Sequence, residues 1–139
     1  ALLNLTRITG DGRFLFPREW RQEPLYTFIK RERNEGAGDV RAVSASLFRD
    51  FSKRRINTEL SYGYYDLPGV TDYQLNKYGM PSYHQVLFNL NYRFAGFMKG
   101  LGVEVMYTYK RQAESTENLK AIINKVNMSH VNIIVNYHL

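Results

Sequence analysis

The stretch Ile56-Asn57-Thr58-Glu59-Leu60-Ser61-Tyr62-Gly63-Tyr64-Tyr65 decides the fold. Ile56, Thr58, Leu60, Tyr62 and Tyr64 fall on one face, and Asn57, Glu59, Ser61 and Gly63 fall on the other. Successive side chains of a strand point to opposite faces, so a period of two held this long predicts an amphipathic β-strand. Its length matches the roughly ten residues with which a tilted strand crosses a bilayer.

Working outward, Tyr83 to Phe94 repeats the pattern. Val86, Phe88, Leu90, Tyr92 and Phe94 alternate with Gln85, Leu87, Asn89, Asn91 and Arg93, and only Leu87 breaks the polar row. Leu101 to Arg111 sets Leu101, Val103, Val105, Tyr107 and Tyr109 against Gly102, Glu104, Met106, Thr108 and Lys110. Val40 to Phe51 is less regular, with Arg49 sharing the apolar face near its end, and Leu2 to Thr9 is weaker still. The last run sets Val131, Ile133, Val135, Tyr137 and Leu139 on one face, with His130, Asn132, Asn136 and His138 opposite and Ile134 as the exception. Tyr and Phe gather toward the ends of the apolar rows, as in the aromatic girdles of a membrane interface.

These runs predict an all-β fold, a transmembrane antiparallel β-barrel of which about six strands are seen here. Outer-membrane barrels have at least about eight strands, so residues 1–139 are expected to be the C-terminal part of a larger barrel. Ala1 to Ile8 lacks the basic flank and long apolar core of a signal peptide and reads as a strand already in progress.

Composition narrows the classes. No run approaches the roughly 18 apolar residues of a membrane helix. The mean hydropathy of −0.43 looks soluble, but alternating barrel strands average to such a value. The chain has 11 Tyr and 8 Phe and no Cys, which excludes a disulfide scaffold and a thiolate metal site. A net charge of +6 fits an anionic lipid surface, an anionic solute or nucleic acid. The aromatics lie mostly on the apolar face, away from the Arg cluster, so no nucleic-acid stacking platform is expected.

Connections alternate in length. Residues 52–55 and 95–100 are short, whereas 66–82 and 112–125 are long and carry breakers such as Pro68, Gly69, Gly79 and Pro81. Bacterial barrels place short turns on the periplasmic side and long loops outside. With a periplasmic C-terminus the same parity puts residues 10–39 outside, as a long extracellular or inward-folded loop within which Leu25 to Ile29 is a candidate short strand. This loop holds the densest charge, including Arg13, Arg18, Glu19, Arg21, Lys30, Arg31, Arg33 and Glu35. Folded into a lumen, such residues would contact solute, because rings of charge set pore selectivity and Arg grips carboxylates bidentately. The alternative is that the charges pair with one another and hold the loop's shape.

Gly10-Asp11-Gly12-Arg13 lacks the repeated acidic ligands of a Ca²⁺ loop. His130 and His138 stand too far apart to share a metal, and no cofactor is expected. Ser and His occur without a nucleophile elbow, so no catalytic residue and no enzyme activity are expected.

Asp11-Gly12-Arg13-Phe14-Leu15-Phe16-Pro17-Arg18-Glu19-Trp20, with Glu23-Pro24-Leu25-Tyr26-Thr27-Phe28 and Arg31-Glu32-Arg33-Asn34-Glu35-Gly36, resembles a segment of OprD-like outer-membrane porins. The resemblance spans residues 11–36; elsewhere only the generic barrel pattern is shared. It implies a monomeric or trimeric channel of more strands, with inward-folding loops and a basic ladder for small carboxylate-bearing solutes. Arg13, Arg18, Arg31 and Arg33 are the residues it implicates. The chain end, with Val131, Ile133, Val135, Tyr137 and Leu139, resembles the signal read by the barrel-assembly machinery, although Phe is the more usual last residue.

The function expected from the sequence is thus a porin channel of the Gram-negative bacterial outer membrane, for passive uptake of small anionic or carboxylate-bearing solutes. Its partners would be outer-membrane lipid, the solutes and the assembly machinery, with a homo-oligomer left open. Alternatives are a TonB-dependent transporter barrel, a non-conducting structural or adhesive barrel, a barrel enzyme, and a soluble β-domain with an acidic partner.

Overall fold

The computed structural model describes residues 1–15, 25–30, 36–113 and 119–138. Six strands form one antiparallel sheet in sequence order: β1 (Leu2–Arg7), β2 (Arg41–Phe51), β3 (Ile56–Asp66), β4 (Tyr83–Arg93), β5 (Leu101–Gln112) and β6 (Met128–Tyr137). Every neighbour in the sheet is the next strand in the chain, so the register is set hairpin by hairpin. The sheet is open, with β1 and β6 as its two edges.

Two short connections lie at one end. Ser52–Arg54 forms a single 3₁₀ turn closed by Arg55 in the left-handed conformation, and Gly96–Met98 forms the other. The three long connections share the opposite end. There the β1–β2 ladder runs on beyond its strands: Ile8 N donates to Val40 O at 2.8 Å, Asp39 N to Thr9 O at 2.9 Å and Phe14 N to Ala37 O at 3.0 Å. Gly38 approaches the Gly12 carbonyl so closely that a side chain there would collide with backbone.

The loop between β3 and β4 braces this extension. Asn76 is buried and its amide donates to Pro68 O and Met80 O, while its oxygen accepts from Met80 N. Asp72 Oδ1 accepts from Gln74 N and Leu75 N, and Leu75 O in turn accepts from Gly38 N at 2.7 Å. Ala37, Val40, Ala42, Tyr65, Leu67, Tyr83 and Val126 form a small apolar core at this end, with Ile8, Phe28 and Met80 packed against it.

The sheet exposes a largely apolar face and buries much of the opposite one, where polar side chains lie beside Ala42, Tyr65, Tyr83, Leu87 and Met106. Registered rows such as Leu47, Leu60, Phe88, Tyr107 and Val131 are exposed on the apolar face, where Val86, Leu90, Val103 and Val105 are half-buried. Ser44, Ser46, Ser61, Gln85, Asn89 and Thr108 face the other way and are buried. What covers part of that polar face is residues 25–30. They do not add a strand: Phe28 N closes a turn onto Leu25 O, and the backbone of Thr27, Ile29 and Lys30 bonds to side chains of the sheet instead of a strand neighbour. The short strand expected at Leu25 to Ile29 is therefore a docked turn.

Candidate functional site on the polar face of the sheet

Three anchors hold residues 25–30 on the sheet. The first is a hydroxyl pair, in which Thr27 Oγ1 donates to Thr6 Oγ1 of β1 at 2.8 Å. The second is Tyr65 of β3, fully buried, whose hydroxyl donates to Thr27 O at 2.8 Å while its ring meets Phe28 and stacks on Tyr83. The third is Ile29, buried among Leu87 of β4 and Met106 of β5, with Ile134 of β6 packed against the same cluster. Burying a side chain of this size contributes about 1.5–3 kcal/mol. Leu87 and Ile134, the residues that interrupt the polar rows of their strands, are thus the socket for Ile29.

Beyond Ile29 the chain sets Lys30 over the middle strands. Gln85 Nε2 donates to Lys30 O at 2.9 Å. The Lys30 ammonium lies 3.3 Å from Glu104 Oε1 of β5 and 3.5 Å from Glu59 Oε2 of β3. Both carboxylates are largely covered, at 18% and 19% exposure, whereas Lys30 retains 45%. Ser61 Oγ donates to Glu59 Oε1 at 3.0 Å and lies 2.7 Å from Ser46 Oγ, which ties Glu59 back into β2. A carboxylate that accepts a hydroxyl proton and faces an ammonium is fixed in direction as well as charge.

Around this pair the face stays polar. Asn89 is the cross-strand partner of Glu59, and Asn91 that of Glu104. Gln85 Oε1, Asn89 Oδ1 and Thr108 Oγ1 are buried and meet no hydrogen-bond partner among the described residues. An open cleft of about 390 Å³ adjoins Asn89 toward the short-turn end, with Phe48, Arg49, Asn57, Glu59 and Asn91 also on its wall.

No family model, curated protein or solved structure matches the chain.

Of the solute-contacting residues expected from the sequence, Lys30 is the one that the structure brings onto the polar face. Arg13 is exposed beside the Phe14–Ala37 bond at the long-loop end and makes no ion pair among the described residues. Arg18, Glu19, Arg21, Arg31, Arg33 and Glu35 lie outside the described residues, as does Leu139 of the expected assembly signal. Val135 and Tyr137 of that signal project from the apolar face of the edge strand β6 and are exposed. Among the described residues no three His, Cys, Asp or Glu side chains converge on a metal site, and His130 instead bonds Asn132 at 3.0 Å. Glu59, Glu104, Gln85 and Asn89 were not singled out by sequence. Their signal was charge and amide groups on the polar rows of adjacent strands, which acquires meaning only once the register sets them side by side.

Proposed function

We propose that this chain forms part of an outer-membrane β-barrel channel, whose polar lumen-facing wall is the sheet face that carries Lys30, Glu59 and Glu104. The observation that carries the reading is the largely apolar face left exposed opposite the polar side chains. Water leaves no reason to expose Leu3, Leu5, Leu60, Phe88, Val131, Ile133 and Val135 together while burying Ser44, Ser46, Ser61 and Gln85. Lipid does, because hydrocarbon takes the apolar side chains and the ladder satisfies the backbone.

The dimensions of the apolar face support this. It runs from the Tyr64–His84 row near the long loops to Phe94 just past β4 near the short turns, a span of ten residue steps. At ~3.4 Å per residue and a tilt of roughly 40°, that covers about 26 Å along the barrel axis, close to the apolar band of about 25 Å in such barrels. Amphipathic rings stand at both limits. Tyr62 and Tyr64 contact His84 at one, and Tyr92 meets Phe94 edge-on at the other.

The solute class we propose, small anionic or carboxylate-bearing molecules, rests on the Arg residues of 10–39 and on the OprD-like stretch 11–36. A second reading, a non-conducting structural barrel, is favoured by one observation: Ile29 and the turn around it fill part of the polar face. Planar-bilayer recording separates the two. A channel gives discrete conductance steps whose ion selectivity changes when Arg18 or Arg31 is reversed to Glu. A folded protein without steps would establish the non-conducting reading, and steps with selectivity unchanged in both variants would remove the assignment of loop 10–39 to the solute path.

A further inference from the structure

At the long-loop end, the apolar rows of β5 and β6 run into a polar cleft. Tyr109, Arg111, Asn127 and Ser129 wall an open space of about 370 Å³, together with Lys110 and Met128. Tyr109 is the register partner of Ser129, and Gln112 N donates to Asn127 Oδ1 at 2.8 Å, which ties the start of β6 to the end of β5. Alternation along a strand puts Tyr109 and Arg111 on the same side as Tyr107, and Ser129 on the same side as Val131. Lys110 belongs to the opposite face, where its ammonium lies over the Tyr83 ring. Arg111 is therefore the cation of this cleft, and its side chain stands on the apolar face of the sheet.

Nothing on the cleft wall answers that charge. Arg111 is exposed and makes no ion pair among the described residues, and no carboxylate lines the cleft. A guanidinium keeps its proton at any ordinary pH, so at the border of a hydrocarbon layer it needs an anion or water. Its neighbours favour the anion. Asn127 spends its oxygen on Gln112 N, which leaves the amide Nδ2 as a donor. Ser129 Oγ lies 3.2 Å from Tyr107 Oη, a hydroxyl pair with a proton to spare. His84, the register partner of Arg111 on β4, is steadied at Nδ1 by the Tyr62 hydroxyl at 2.7 Å.

We propose that Arg111, Asn127 and Ser129 bind the phosphate monoester headgroup of an anionic lipid, whose acyl chains lie along Tyr107, Val131 and Ile133. A phosphate monoester presents three oxygens. Two suit the planar fork of the guanidinium, and the third is left for the amide or the hydroxyl. Tyr109 stands at the same level, where amphipathic rings meet lipid headgroups. Val131 and Ile133 of β6 follow directly along the strand and are exposed at 60% and 70%, so the apolar part of the same molecule has a surface to cover. The cleft opens away from the face that carries Lys30, Glu59 and Glu104, which is why the occupant is a lipid and not a solute of the channel. The inference rests on the barrel reading for its setting and adds a lipid-headgroup site on the outer wall.

The test titrates the full-length protein in dodecyl maltoside micelles with dioleoyl phosphatidic acid, with dioleoylglycerol, which is the same lipid without its phosphate, and with inorganic phosphate. Native mass spectrometry counts the molecules bound. Wild type should bind one phosphatidic acid in preference to dioleoylglycerol and to free phosphate. Arg111→Gln should weaken that binding about tenfold or more, the factor that a charge-assisted hydrogen-bonded pair supplies. Arg41→Gln removes an exposed cation of the same sheet end, three strands away, and should bind as wild type does. No preference for the phosphorylated lipid, a preference that survives Arg111→Gln, or an equal loss in Arg41→Gln would overturn the proposal. Free phosphate bound as tightly as the lipid would overturn it too, in favour of a soluble anion. Where Arg111→Gln does not fold, Arg111→Lys keeps the charge and removes the fork: several-fold weaker binding supports the site, and unchanged binding overturns it. A protein that folds into lipid vesicles without this preference removes the inference and leaves the barrel. The preference in a protein soluble without detergent removes the barrel and leaves the site.

Discussion

The ring of Tyr65 lies folded over Gly63, so closely that a β-carbon at position 63 would stand 2.8 Å from both the Cε2 atom and the hydroxyl oxygen of Tyr65. Both residues face the polar side of β3. The absent side chain lets the tyrosine lean along its own strand, where its hydroxyl reaches the Thr27 carbonyl and its ring meets Phe28 and Tyr83. Gly63 is therefore what allows the turn at 25–30 to be held from β3. Gly63→Ala should force Tyr65 off this position and destabilise the protein by about 1–3 kcal/mol, the usual cost of overpacking. Tyr65→Phe keeps the ring and removes only the hydroxyl, so its cost should be nearer ~1 kcal/mol. Thermal unfolding of the two variants checks the order; a more severe Tyr65→Phe would mean that packing over Gly63 contributes little.

Ile29 fastens the same turn through apolar contact, and its loss should loosen the turn without unravelling the sheet. The socket of Leu87, Met106 and Ile134 belongs to strands paired on both sides or by long ladders, whereas residues 25–30 have only side-chain anchors. Ile29→Ala should lose about 2–5 kcal/mol at that position, enough to populate an undocked turn. Trypsin cleavage after Lys30 should accelerate at least tenfold, while amide exchange in β3, β4 and β5 stays as slow as in wild type. Faster exchange across the strands would instead make Ile29 a core residue of the sheet itself.

How much of this was legible in the sequence depends on which partner each residue needs. The strands were legible because alternation is a property of a strand alone: Ile56 to Asp66 and Tyr83 to Arg93 differ from their expected limits by a residue. The turn at 25–30 was not, because Leu25, Thr27 and Ile29 alternate as a strand would, yet Thr27 and Ile29 are buried by the sheet beneath them. Leu87 and Ile134 looked like flaws in polar rows for the same reason: each answers to Ile29, a residue far away in the chain. The meeting of Lys30 with Glu59 and Glu104 needs three separate segments and the registers of two strand pairs, none of which spacing alone supplies. The membrane reading stands differently, since it rests on which face is apolar, and that much the alternation did display.

Charge reversal at Lys30 offers a functional measurement on the same trio. Lys30→Glu would place a third carboxylate beside Glu59 and Glu104, and Lys30→Met would leave two unneutralised. In the proposed channel both should move the reversal potential in a salt gradient toward cation selectivity, Lys30→Glu further than Lys30→Met, because a ring of acidic side chains favours cations in a pore. The shift should shrink at high salt, where charges more than a few ångströms apart are screened. Reversal potentials identical to wild type in both variants would take Lys30 out of the ion path.

The apolar face can be tested by a substitution whose sign differs between lipid and water. Leu60 stands in the middle of that face, flanked in register by Leu47 and Phe88, and is exposed. In a membrane barrel an Arg there should cost about 2–4 kcal/mol, the penalty for a lipid-facing cation near the midplane. On a sheet that faces water, replacing an exposed leucine should change stability by no more than about 0.5 kcal/mol and should improve solubility. Asn57→Arg, three residues away on the polar face and exposed, is the matched control, since a cation there meets water in either case. Folding into lipid vesicles, followed by heat-modifiable electrophoretic mobility, should therefore fall sharply for Leu60→Arg and stay near wild type for Asn57→Arg. Equal folding of the two, with Leu60→Arg soluble without detergent, would show that the apolar face meets water and would remove the barrel reading.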